Sequence, residues 1–212
     1  MVNEALLHGP FYGNFYVRLV AALGFAFLMG SIPVGPLTRW LFAGVDWRLG
    51  STARGLVPVL LVFAAFIPVE IAAHGGGTAI GLGAGIAVVL GHCYSPWLRF
   101  RGGTGAAVQL GALAALSWPC AVVFAVLWLT AATSSNYSAV GTLTATAFNF
   151  VPLWFFLGPA GAFYGVVTLL VVASRNRGHF ERLSEGRERP MRQPEPVRES
   201  FVRLEGQPVQ SF

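Results

Sequence analysis

The sequence predicts an all-α polytopic membrane protein with seven transmembrane helices, its N-terminus outside and its C-terminus cytoplasmic. Three observations carry this. The 212 residues are 55% hydrophobic and only 11% charged, whereas a soluble domain carries about 25% charged residues. Three acidic residues, Glu4, Asp46 and Glu70, precede Arg175; the others are tail glutamates. The chain has no lysine, and its arginines outside the 175–203 tail, Arg18 apart, punctuate breaks between apolar runs. This composition excludes a soluble enzyme and a disordered chain. It also turns the net charge of +5 into membrane-surface anchoring rather than nucleic-acid binding.

The first apolar run covers 13–33 and contains Arg18, whose long side chain can snorkel to an interface. No Lys or Arg precedes it, so a retained span is expected rather than a cleaved signal peptide. The second run is 56–73, with Glu70 near its end, and the third is 78–97. The stretch 105–133 is broken at Ser117-Trp118-Pro119, and proline suits the first turn of a new helix. Runs at 139–157 and 160–174 follow, split by Gly158-Pro159.

Arginine placement sets the count. Arg39, Arg48 and Arg54 put the loop 34–55 inside, and Arg99 and Arg101 do the same for 98–104. The His-Gly-Gly-Gly loop at 74–77 has no arginine and goes outside, as does the N-terminus. An outside start and an inside finish need an odd number of crossings. Separate helices at 105–117 and 119–133 give seven, the short ones tolerated by bilayer thinning or burial in the bundle. Residues 1–189 then form one transmembrane domain, and 190–212, with its prolines and alternating Arg and Glu, a solvated tail. No inverted repeat of the transporter type is visible.

This topology gathers the polar segments on one face. Gly102, Gly103, Thr104 and Gly105 open a helix. Glycines there let backbone N–H groups converge beside a helix N-terminus, a geometry suited to an anion, with Arg99 and Arg101 alongside. Ser31 ends the first helix just before Pro33; its hydroxyl serves a ligand or merely the carbonyl of the preceding turn. Arg48 is a phosphate ligand or a headgroup anchor. His92 sits at a helix end, where a hydrogen-bonded structural histidine is the ordinary role. Ser138 closes the Ser134–Ser138 segment. Asn176 and His179, three apart, share a face if the last helix continues. Glu70 is the one acid inside a run and a functional candidate on that ground. Cys93 and Cys120 read as buried inert thiols, and no His or acid cluster has metal spacing, so neither metal nor cofactor is expected.

At these residues the sequence resembles the bacterial acyl-phosphate:glycerol-3-phosphate acyltransferases of PlsY type. The likeness runs from about residue 25 to 189. It rests on Gly-Ser-Ile-Pro at 30–33, Val-Asp-Trp-Arg-Leu-Gly-Ser at 45–51, Gly-His-x-x-x-Pro at 91–96, Phe-Arg-Gly-Gly-x-Gly at 100–105 and Arg-Leu-x-x-Gly-x-Glu at 182–188. The resemblance implies a seven-helical enzyme of the bacterial inner membrane with its site on the cytoplasmic side. Its partners would be acyl phosphate, glycerol 3-phosphate and membrane lipids. It would move the acyl group to the 1-hydroxyl of glycerol 3-phosphate, giving lysophosphatidic acid and phosphate.

The resemblance further implies catalytic roles for Ser31, Arg48, Asn176 and His179. Substrate binding falls to Ser51, Arg101, Gly102, Gly103, Thr104, Gly105 and Ser138 (or Thr142 in its place). Structural roles fall to His92 and Glu188. Differences stand beside the likeness. Thr104 occupies the place of the family's loop lysine, and the chain has no lysine at all. The polar stretch after Ser51 is short. The family's His-x-x-Asn reads Asn176-x-x-His179. A second reading therefore accompanies the first: a non-catalytic membrane relative that binds lipid or scaffolds. A small transporter, suggested only by Glu70, is a distant third.

Overall fold

The computed structural model describes residues 10–34, 37, 47–100 and 102–187, with side chains described for 15–34, 37, 57–100 and 102–187. Among these residues the secondary structure is helical. The α-helices are α1 (Pro10–Ser31), α2 (Trp47–Gly76), α3 (Thr78–Cys93), α4 (Ala106–Leu116), α5 (Trp118–Ser135), α6 (Ser138–Phe148) and α7 (Phe150–Ser184), and a single 3₁₀ turn spans Pro96–Leu98. Val57–Gly76, Thr78–Leu98, Trp118–Ser135 and Phe150–Ser184 are long and apolar enough to cross a membrane; Phe15–Ser31 and Ala106–Leu116 are shorter apolar helices.

Local chemistry sets the boundaries. Gly77, at φ 82°, turns α2 straight into α3 where the sequence reads His-Gly-Gly-Gly. Ser117 is extended at φ −164°, and α5 begins just after it with proline in its first turn, where a missing N–H costs nothing. Asn136 ends α5 in the left-handed conformation at φ 65°, a role asparagine tolerates.

The segment 139–157 is not one helix. Asn149 interrupts it, leaving α6 and the first limb of α7. Nor is α7 straight, because Gly158 adopts φ 62°, ψ −153° in its midst. In a straight helix Phe150 and Gly165 would stand about 22 Å apart. Instead Gly165 lies against Phe150 and Leu153, and Gly161 against Leu153. The chain therefore reverses at Gly158, and the second limb runs on to Ser184, past the expected end at 174.

α3 is the central element. Ile80, Ala84, Val88, Val89 and Cys93 join one buried cluster with residues of α1, α2, α4 and α7. α1 and α3 touch backbone to backbone. A Cβ on Gly30 would fall into the Val88 carbonyl, and one on Gly91 into the Phe27 carbonyl. α4, α6 and α7 are tied by a buried polar cluster: Thr146 Oγ1 donates to Gln109 Oε1 at 2.9 Å, and Gln109 Nε2 reaches Thr168 Oγ1 at 3.5 Å.

Candidate active site

A cleft of about 830 Å³ opens where α1 ends, α3 ends and α4 begins. Its polar end is formed by Ser31, His92, Ser95 and the loop Gly102–Gly105; its apolar end by Val57, Leu61 and Val62 of α2, Leu110 of α4, and Phe124, Trp128 and Leu129 of α5. Pockets of about 300–1,000 Å³ with apolar walls and a few convergent polar groups are the usual form of a small-molecule site. The space suits an amphiphile, with its head at the loop and its tail along the helices.

Ser31 is buried at the polar end. Its hydroxyl donates to the Leu28 carbonyl at 2.8 Å, the preceding turn, and accepts from Trp97 Nε1 at 3.2 Å. Ser95 Oγ donates to the Ser31 carbonyl at 2.6 Å, which is one of the helix-end carbonyls that α1 leaves unpaired. His92 faces the cleft beside Gly30 and Ser31. A Cβ on Gly103 would strike the His92 ring, so glycine lets the loop lie flat on that imidazole.

The glycine loop differs from the arrangement its spacing suggests. The Gly102 N–H donates to the Cys93 carbonyl at 3.2 Å and the Gly103 N–H to the His92 carbonyl at 3.3 Å. These two amides close the C-terminal end of α3 rather than facing an anion. What remains at the cleft is the first turn of α4, where Ala106 and Ala107 line the wall and initial helical N–H groups lack intrahelical partners.

Three consecutive residues of α7 brace this region from behind. Ser174 Oγ and Tyr94 Oη are 2.7 Å apart. The Arg175 guanidinium donates twice to the Gly102 carbonyl, once from Nε at 3.1 Å. Asn176 Nδ2 donates to the Thr104 carbonyl at 3.2 Å and to the Val172 carbonyl at 2.8 Å. Asn176 is fully buried, its Oδ1 has no partner among the described residues, and it does not line the cleft. Its amide holds the loop from behind. His179 continues the same helix one turn on; its Nδ1 lies 3.0 Å from Arg182 Nη2, and it too is off the cleft wall.

Ser138 opens α6 away from the cleft lining. Thr142, its neighbour one turn on, accepts from Trp128 Nε1 at 3.2 Å and donates to the Ser138 carbonyl at 2.8 Å, and so fixes a tryptophan that walls the apolar end. The structure therefore brings together Ser31, His92 and Gly102–Gly105, with Asn176 behind them. Arg48 and Ser51 lie in the first turns of α2 by backbone, but their side chains, with Arg101 and Glu188, are outside the described residues.

Sequence reasoning passed over Trp97, Ser95, Arg175 and Trp128. Arg175 carried a usable signal as the first charge after the last apolar run, yet counted only as one of the tail's arginines. The tryptophans gave none, since aromatic residues are ordinary at membrane interfaces.

The family model for glycerol-3-phosphate acyltransferase matches residues 48–186. Among curated relatives, the glycerol-3-phosphate acyltransferase of Rhodopseudomonas palustris (strain BisB5) is 35% identical over 184 residues, covering 80% of this chain and 94% of the relative. That of Mesorhizobium japonicum is 37% identical over 186 residues, with 80% and 94% covered. Two crystal structures of PlsY (YgiH), an integral membrane glycerol 3-phosphate acyltransferase, are similar in fold. The lysophosphatidic acid form has TM-score 0.73 and 31% identity, covering 81% of this chain and 94% of that one. The glycerol 3-phosphate form has TM-score 0.73 and 29% identity, covering 86% and 98%. With the all-helical fold and the amphiphile-shaped cleft, these likenesses mean that the chain belongs to the PlsY-type glycerol-3-phosphate acyltransferase family of multi-pass membrane proteins.

Proposed function

We propose that this protein transfers the acyl group of an acyl phosphate to the 1-hydroxyl of glycerol 3-phosphate, releasing lysophosphatidic acid and inorganic phosphate. The observation that carries the reading is the cleft itself. One cavity joins Ser31, His92 and the α4 N-terminus to a wall of Val62, Leu110, Phe124 and Trp128, which matches a donor that is a phosphate at one end and an alkyl chain at the other. The names of the relatives and the ligands of the two PlsY forms support the acceptor.

The chemistry needs no covalent enzyme intermediate. The acceptor hydroxyl oxygen bonds to the acyl carbon, the bond from that carbon to the phosphate oxygen breaks, and the hydroxyl proton leaves with the departing phosphate. The donor is already activated, so the protein's work is to align two anions and neutralise developing charge. Arg48, Arg101, Ser51 and Thr104 are assigned to the phosphates, Ser31 to the donor phosphate and Ser138 to substrate binding. Between His179 and the donor's own phosphate as proton acceptor, the phosphate is preferred. Arg182 can only donate, so His179 Nδ1 accepts from it, and the neutral ring then carries its proton on Nε2.

The same reading takes residues 1–189 as one domain that crosses the bacterial inner membrane seven times. The N-terminus lies outside and the tail 190–212 in the cytoplasm. α6 with the first limb of α7 supplies one crossing, and the limb after Gly158 supplies the last. His92 and Glu188 are assigned structural roles.

The test is phosphate release by the purified protein from palmitoyl phosphate, with and without glycerol 3-phosphate. Arg48→Ala and Arg39→Ala serve as controls. Acceptor-dependent release, lost in Arg48→Ala and kept in Arg39→Ala, is expected. Release independent of the acceptor means a different acceptor. No release from folded protein means a lipid-binding relative without catalysis, the reading to which Thr104 in place of a loop lysine points.

A further inference from the structure

We infer that Trp97 is a positioning residue for Ser31: its indole N–H polarises and orients the serine hydroxyl at the phosphate end of the cleft. The inference rests on the acyl-transfer reading above and adds a residue to it.

Trp97 lies on the 3₁₀ turn between α3 and α4, 67% exposed, while the Ser31 it touches is 1% exposed. A tryptophan that served only as an interface anchor would leave its N–H in the headgroup region. Here the N–H points inward and donates to Ser31 Oγ at 3.2 Å. An indole nitrogen is a donor only, so the direction of this bond is fixed. It also sets the next one: with one lone pair held by Trp97, Ser31 directs its proton to the Leu28 carbonyl at 2.8 Å.

The turn is anchored to place that indole. Ser95 Oγ grips the Ser31 carbonyl at 2.6 Å, two residues before Trp97. The Phe100 N–H returns to the Ser95 carbonyl at 2.9 Å. Arg99 and Phe100 both hold positive φ, 52° and 61°, a conformation uncommon for side-chain-bearing residues that persists where surroundings enforce it. Two separate bonds therefore join this turn to one serine, one to its backbone and one to its hydroxyl.

The consequence is a hydrogen-bond chain. When a phosphate oxygen enters the cleft, the Ser31 proton can swing from the Leu28 carbonyl to it while Trp97 remains the donor to Oγ. A hydroxyl that accepts one hydrogen bond donates a stronger one. Without the indole N–H, Ser31 keeps its place but loses the polarisation and the orientation of its lone pairs.

The test uses the full chain in detergent, with Trp97→Phe, Ser31→Ala and the double variant, and Trp154→Phe as an exposed tryptophan outside the site. In steady-state acyl transfer Trp97→Phe is expected to lower kcat about 2- to 10-fold, the range of one hydrogen bond, with KM for glycerol 3-phosphate unchanged. Trp154→Phe should match the parent. In the Ser31→Ala background Trp97→Phe should cost nothing further; an equal loss in both backgrounds overturns the inference.

A second measurement does not depend on turnover. With ¹⁵N-labelled tryptophan, the indole N–H resonance missing in Trp97→Phe is that of Trp97. It should move upfield in Ser31→Ala. An unmoved resonance overturns the inference whatever the activity. A moved resonance in a protein inactive with every acyl phosphate upholds the contact and removes the acyl-transfer reading instead.

Discussion

Asn176 on α7 donates its side-chain amide to the Thr104 carbonyl at 3.2 Å, reaching across more than seventy residues of sequence to hold the glycine loop from behind. With Arg175 on the Gly102 carbonyl, it makes the last helix a brace behind the loop, off the cleft wall itself. The loop's own N–H groups fasten it to α3, so its placement is over-determined from two sides.

Asn176→Ala removes the donor and leaves the Thr104 carbonyl with one partner fewer. Breaking such a bond costs about 1–3 kcal/mol where the partner stays buried. The variant should unfold at lower temperature in detergent and lose acyl transfer, whereas Arg177→Ala, at the exposed neighbouring position, should do neither. Equal behaviour of the two would remove the brace.

Gln109 tests the buried cluster. Thr168 also donates to the Tyr164 carbonyl at 2.8 Å, and Thr146 can turn its one proton from Gln109 to the Thr142 carbonyl, 2.7 Å away. Neither hydroxyl is orphaned when the glutamine goes. Gln109→Leu should therefore sit within about 1 kcal/mol of the parent, and Gln109→Ala should lose about 2 kcal/mol or more to the cavity it opens. Gln109→Glu, a carboxyl with little to pair it, should be the most damaging. Thermal unfolding of the three variants side by side gives the order; Leu falling below Ala would contradict it.

Gly158 and Gly24 should respond oppositely to alanine. At φ 62°, ψ −153° Gly158 occupies a region that essentially only glycine populates, and alanine there costs about 1–3 kcal/mol. Among the described residues nothing lies within 4 Å of a Cβ at Gly24, inside α1, so alanine there should stabilise by up to about 1 kcal/mol. Melting the two variants in parallel decides it, and a Gly158→Ala protein as stable as Gly24→Ala would mean that the reversal does not need the glycine.

Cys93 and Cys120 are free and fully buried. Neither should react with a maleimide in folded protein over an hour, and both should react at once in denaturant. Cys93 labelling without loss of fold would show that the Gly102–Gly105 segment lifts off α3.

The helices were legible because their boundaries carry strong punctuation. Pro119 after Ser117, the glycines around 77, and Gly158-Pro159 each mark a turn with a backbone requirement of their own. Asn149 carries no such mark. It sits between Phe148 and Phe150 in an unbroken apolar run, and only the packing of α6 against the returning limb of α7 makes it a break. The cleft was legible in part for the same reason: Ser31, His92 and the glycine loop lie beside helix ends. The brace was not, because Ser174, Arg175 and Asn176 act on residues far away in sequence, and the bonds of Arg175 and Asn176 to backbone carbonyls leave no pattern in residue types. The loop amides misled for the converse reason. Glycine spacing shows that amides can converge, and only the fold shows that α3 takes two of them.

The paired glycines of α1 and α3 carry a consequence for how this site can change. Gly30 abuts the Val88 carbonyl and Gly91 the Phe27 carbonyl, and each is followed at once by a cleft residue, Ser31 or His92. A methyl group added at either glycine meets main chain, not a side chain that a second mutation could trim. No compensating substitution across the seam is available, so the two glycines can be lost only together with the distance between Ser31 and His92. A substitution that is to leave the two backbones in contact must therefore fall elsewhere, at a position such as 104 that lies outside the seam.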